Sequence, residues 1–186
     1  MYSLSLFLHI VGALGIFAAL AVEQAALVNL RRASTNAQAR EWLSPLRSWQ
    51  RIQGPSGLLL IVTGFYMMAT GWRHQAWPGM GLLGMVLMVI VGAVVTGRRM
   101  KAIGRGLPAG DGPLPTAIRE RLADPALRTS ALVRLGLALG VVFDMSVKPG
   151  TTGALAAVVV AGLLGFGAAQ WRRGGSRPVG RAAVQE

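Results

Sequence analysis

A chain with 14% charged residues and 53% apolar ones has few side chains able to do polar chemistry, so each one inside an apolar run matters. Ionisable groups in a membrane are costly and mark functional or specific structural positions. His9 sits in the first apolar run, about seven residues from Tyr2 and so ~10 Å deep in a helix. A neutral imidazole is an axial ligand for haem iron and, beside thioethers, a ligand for copper(I). Methionines that share the outer half with it are Met67, Met68, Met85, Met88 and Met145, with Tyr66 at the end of the second run. Glu23 lies seven residues before the inner end of the first run, and Arg134 about six residues past the inner end of the fourth. Both depths are ~10 Å, so the two are expected to pair as a buried clasp, with a proton or substrate site as the functional alternative. Asp144 and Lys148, at i and i+4, are expected to form an outer-face ion pair.

Five segments must position these groups. A helix crosses a hydrocarbon core with ~20 apolar residues, and candidate runs cover residues 4–30, 54–71, 79–97, 129–147 and 149–171. The fourth is interrupted by Arg134 and Asp144, but Pro149 and Gly150 mark a turn after it and the fifth run needs a returning partner. Basic residues test the count, because cytoplasmic loops retain Lys and Arg. Five lie in residues 31–51, seven in 98–128 and four after Trp171, whereas Arg73 and Lys148 stand alone in the other loops. Five crossings put sixteen basic residues on one side against two. The expected architecture is therefore an all-α, five-helix transmembrane bundle, N-terminus outside and C-terminus cytoplasmic, with a flexible basic tail over residues 173–186. Tyr2, Trp72 and Trp77 fall at the outer interface and Trp171 at the inner one. Trp42, Leu46 and Trp49, interleaved with Arg40, Arg47 and Arg51, read as a short interfacial helix. Residues 98–115 are rich in Gly and Pro, and Thr116 is expected to cap a helix over 116–123. Ala19-Leu20-Ala21 resembles a signal-peptide cleavage site, but no Lys or Arg precedes Arg31 to supply the positive leader.

Composition excludes whole classes. Without cysteine there is no disulfide framework, thiol nucleophile, zinc-thiolate site or iron–sulfur cluster. The net charge of +12 is distributed between apolar runs rather than on one soluble face, which reports membrane orientation and not nucleic-acid binding. No internal repeat suggests an inverted-repeat transporter. The stripe Gly153, Ala157, Ala161, Gly165 and Ala169 recurs every fourth residue and suits close helix approach, either within the bundle or as a homodimer seam.

Leu8-His9-Ile10-Val11-Gly12-Ala13, Val62-Thr63-Gly64-Phe65-Tyr66-Met67 and Met145-Ser146-Val147-Lys148-Pro149-Gly150 together resemble an uncharacterised family of small bacterial integral membrane proteins, over most of residues 1–172. The Leu-His pair is more distantly similar to copper-resistance D-type proteins and to membrane protoporphyrinogen oxidases, which are associated with haem. That similarity implies a haem b or metal ligand at His9 and at no other position, since this chain has no second intramembrane histidine and adds a fifth helix. The Arg-, Ala- and Gly-rich composition suits a high-GC bacterium, and the bundle is expected in a bacterial inner membrane. Three functions follow as expectations: a non-enzymatic structural or accessory component, alone in the lipid bilayer or within a larger membrane complex; a redox protein using His9; and a small transporter using Glu23, Arg134 and Asp144.

Overall fold

The computed structural model describes residues 1–71, 75 and 77–174, without the side chains of residues 47, 49, 50, 172 and 173. Trp72, Arg73, His74 and the tail beyond Gly174 lie outside the described residues, as do the side chains of Arg47 and Trp49. Among the described residues seven α-helices follow one another: α1 Tyr2–Arg32, α2 Asn36–Gly71, α3 Trp77–Val91, α4 Arg98–Gly106, α5 Thr116–Ala123, α6 Pro125–Val147 and α7 Thr151–Gly174, with a π-helical segment Gly92–Gly97 joining α3 to α4. There is no strand among the described residues, only an isolated bridge between Thr35 and Pro113. Five helical stretches among the described residues are long and apolar enough to cross a membrane: Tyr2–Arg32, Asn36–Gly71, Trp77–Gly106, Thr116–Val147 and Thr151–Trp171.

α1 and α2 form an antiparallel hairpin, and α6 and α7 another, with α3 against α6. Both hairpins close on glycine. A Cβ on Gly12 would lie 3.0 Å from the Ser56 carbonyl, and one on Gly15 would collide with the Ser56 hydroxyl. Across the other hairpin, a Cβ on Gly136 would strike the Ala161 carbonyl and one on Gly165 the Leu132 carbonyl. The stripe on α7 is thus consumed within the chain: Ala157, Ala161 and Gly165 meet Gly136, Gly140 and Leu132 of α6, while Gly153 faces Pro149. In lipid, where hydrophobic contact between helices contributes little, such close approach carries the packing. Outward, Leu58, Val62, Leu163 and Leu164 are among many large apolar side chains left exposed, as a bilayer requires.

The interfacial helix expected around Trp42 and Leu46 is instead the first part of α2, which is continuous through Pro45 and Pro55. Its apolar face is covered by protein. Leu43 and Leu46 join Leu27, Leu30, Met100, Ile103, Leu122 and Leu127 in a buried core at the basic end of the bundle, with Trp42 packed against it. At ~1.5 Å per residue α1 is about 46 Å long, well beyond a ~30 Å hydrocarbon core, so this core caps the spans. Arginines pin it. Arg31 donates to the carbonyls of Leu122 (2.9 Å) and Asp124 (3.1 Å), where α5 ends and presents unpaired acceptors. Arg99 bridges to Asp124 at 2.7 Å. Arg40 donates to the carbonyls of Pro108 and Ala109 at 2.7 and 2.6 Å and pairs with Asp111, so the Gly/Pro-rich loop is clamped to α2. α5 covers Thr116–Ala123, but Thr116 makes no cap; Pro115 occupies the N-cap and its carbonyl accepts from Ile118 and Arg119. Trp77, expected at an interface, is 2% exposed at the start of α3, whereas Trp171 is 86% exposed.

Candidate functional site

Among the described residues, polar side chains pair within the bundle near each end of the spans. Nearer the basic end, Arg134 of α6 donates through Nη2 to Oε1 of Glu23 on α1. The two side chains are 5% and 11% exposed. Gly92, the first residue of the π-helical segment, makes room for the guanidinium: a Cβ there would lie 2.6 Å from Nη1 and 3.2 Å from Cδ of Arg134. One turn further along the same segment, Thr96 and Ser130 hydrogen-bond through their hydroxyls at 2.8 Å, and Ser130 reaches the Val91 carbonyl at 3.4 Å. π-helical turns recur at functional sites and displace local ladder bonds. Here the Ser130 hydroxyl reaches the backbone just before that turn. Nε of Arg134 has no acceptor among the described residues. This patch joins α1, α6 and the α3–α4 junction in one buried polar contact.

Toward the other end, His9 is tied to α2. Its Nδ1 lies 2.9 Å from the Thr63 hydroxyl, and that hydroxyl lies 2.6 Å from the Leu59 carbonyl. A carbonyl only accepts, so with the hydroxyl proton on Leu59 the oxygen is an acceptor for His9. In that arrangement Nδ1 carries the ring proton and Nε2 keeps the lone pair. Such a fixed tautomer is the usual second-shell arrangement behind a metal-binding imidazole. The ring packs over Gly64, where a Cβ would sit in ordinary contact with His9 Cε1 at 3.4 Å. Ser5 adds a 3.4 Å bond to the Thr63 carbonyl.

His9 lines a cavity of about 90 Å³ between α1, α2, α3 and α6, together with Met67, Met68, Met85, Met145 and Trp77. Four thioethers and one imidazole thus line one otherwise apolar space. Met88 does not join them: it packs with Ile16, Leu20 and Leu137 in the central core. Among the described residues no three His, Cys, Asp or Glu side chains gather at a point suited to a metal, so any metal chemistry here is thioether and imidazole chemistry. A porphyrin is far larger than this cavity, and haem does not fit it as it stands.

Asp144 and Lys148 do not pair through their side chains. Asp144 is completely buried and neither carboxylate oxygen has a hydrogen-bond donor among the described residues. Lys148 ends α6 in the left-handed region (φ 52°, ψ 52°), its N–H donating to the Asp144 carbonyl at 2.9 Å. The i,i+4 rule presumes helix through both residues, and this cap turns the Lys148 side chain away, its ammonium 5.9 Å from the Trp77 ring centroid. The sequence reading missed Thr63, whose spacing one residue before Gly64 carries no signal without knowledge of the α1–α2 register.

Compared with protein families, with curated proteins and with solved structures, the chain matches none.

Proposed function

We propose that this chain is a non-enzymatic component of a bacterial inner membrane, N-terminus outside and C-terminus in the cytoplasm, that holds copper(I) in the His9 cavity. Gathering of the basic ends of α1, α2, α4, α5 and α6 around one cap supports the orientation, because basic segments are retained on the cytoplasmic side. One observation carries the ligand: His9, with Nδ1 fixed by Thr63, lines the same cavity as Met67, Met68, Met85 and Met145. Thioethers are soft donors that select copper(I) over the hard divalent ions, and an apolar cavity favours a monovalent ion over a more strongly hydrated divalent one. Glu23 and Arg134 then act as a clasp fixing α1 to α6, which holds the cavity's walls in register.

Competitive titration of the detergent-purified protein against a chromogenic copper(I) chelator tests this. One equivalent should bind to the wild type and be lost in His9→Ala. Equal, weak binding by both proteins would overturn the copper reading. A reduced-minus-oxidised absorption spectrum of protein from haem-replete cells checks the haem alternative. A Soret band lost in His9→Ala would replace copper with haem and require the cavity to open.

A further inference from the structure

A groove of about 490 Å³ opens at the basic end between α2 and the loop after α4, lined by Arg40, Ser44, Ser48, Arg51 and Leu107 among others. No acidic side chain among the described residues lines it. Arg40 is saturated by loop carbonyls and Asp111. Arg51 is exposed and makes no hydrogen bond or ion pair among the described residues. The groove therefore presents one uncommitted guanidinium and the exposed Ser44 hydroxyl as donors for a phosphate, with the Ser48 hydroxyl beside them held by a long 3.4 Å bond to the Ser44 carbonyl that a phosphate oxygen would replace.

Its place along α2 identifies the source of that phosphate. Ser44, Arg51, Leu58 and Phe65 recur every seven residues, with Ser48 and Val62 one turn from their neighbours, so all six share a helix face. The upper members are exposed apolar side chains, with Leu58 at 62% and Val62 at 57%. The lower members are polar. Arg51 lies just outside the apolar run that begins at residue 54, at the level of lipid headgroups. From Arg51 to Phe65 the face rises about 21 Å, somewhat more than the ~15 Å hydrocarbon half-thickness of one leaflet. An acyl chain along Leu58, Val62 and Phe65 delivers its headgroup to Ser48 and Arg51.

We infer that this groove is a binding site for the phosphate headgroup of an anionic phospholipid, seated on Arg51, Ser44 and Ser48 with its acyl chain along the Leu58–Phe65 face of α2. Basic pockets at the membrane boundary recognise anionic lipid in this way. Bound lipid is read by native mass spectrometry of the full chain released from micelles containing equal phosphatidylglycerol and phosphatidylcholine. Phosphatidylglycerol should be retained preferentially, and Arg51→Gln should reduce the preference about fivefold. Arg119→Gln, exposed at the same end but outside the groove, should leave it unchanged. If Arg51→Gln does not fold, the double variant Ser44→Leu, Ser48→Leu keeps the charge, fills the groove and should abolish the preference. Equal retention of both lipids by the wild type would overturn the inference. So would a preference untouched in Arg51→Gln, or in the double variant where Arg51→Gln does not fold. Displacement of phosphatidylglycerol by millimolar inorganic phosphate would also overturn it, because the site would then be one for free anion.

Discussion

Gly92 and Arg134 fit against each other across the α3–α6 contact: the glycine opens the π-helical segment where the guanidinium passes, leaving no room for even a methyl group. Arg134 can hold Glu23 only while that space stays empty. Gly92→Ala should push the guanidinium aside and destabilise the bundle by about 1–3 kcal/mol, the usual range for overpacking. Thermal unfolding in mild detergent measures the loss, and an unchanged midpoint would show that the side chain reroutes freely.

Removing one partner of the clasp leaves the other charged and buried. Glu23→Gln should destabilise by about 3–5 kcal/mol, as should Arg134→Gln by a smaller margin, because glutamine at 134 leaves a carboxylate that can relax toward the cap. The double variant should recover part of the loss. A complete cycle of unfolding midpoints reads the coupling, and additive losses would remove the clasp.

How far the sequence alone led can be judged at particular residues. Apolar length located all five crossings, and counting residues inward from the basic ends placed Glu23 and Arg134 at one depth; the structure joins their side chains. Continuity of α2 was invisible, because Gly54-Pro55 reads as a break. Proline removes one ladder bond and is tolerated where a neighbouring helix supports the chain; Ser56, next to it, seats between Gly12 and Gly15 of α1. The π-helical turn has no sequence signature. Asp144 and Lys148 misled because their spacing counts only inside a helix, and the left-handed cap at Lys148 lies just before Pro149.

The α6–α7 hairpin should be the least tolerant of added volume. Gly165→Val places a branched side chain against the Leu132 carbonyl and Val133 Cα, and backbone cannot yield as a side-chain tip can. We expect loss of folded protein, read as aggregation on size exclusion. Gly167→Val, at a position with nothing within 4 Å of a Cβ, should purify normally apart from its β-branched helix penalty.

Thr63→Val removes the acceptor that fixes His9 Nδ1 while nearly preserving shape. Copper(I) affinity should fall by about 10–100-fold, the range seen for lost second-shell partners, with the fold intact. An unchanged affinity in the chelator competition would mean that the imidazole needs no orienting partner.

Arg40→Ala should release the loop from α2, since its guanidinium holds the carbonyls of Pro108 and Ala109 and the Asp111 carboxylate. Trypsin should then cut after Arg105 faster than in the wild type, with the spans still protected. Cleavage at the wild-type rate would show that the Asn36–Gly112 and Leu114–Ser34 backbone bonds suffice.

The apolar cap at the basic end draws its members from positions as far apart as Ala26 and Ala131. During synthesis the first hairpin is therefore finished long before its own end can be sealed: Leu27, Leu30 and Leu43 wait for Ile118, Leu122 and Leu127. Translation must pass the start of α6 before that surface is covered. Until then a nascent chain carries an uncovered apolar patch at the aqueous boundary, where holding factors and proteases act. Cap substitutions such as Leu127→Ala should therefore lower the yield of inserted protein more than they lower the stability of the molecules that mature.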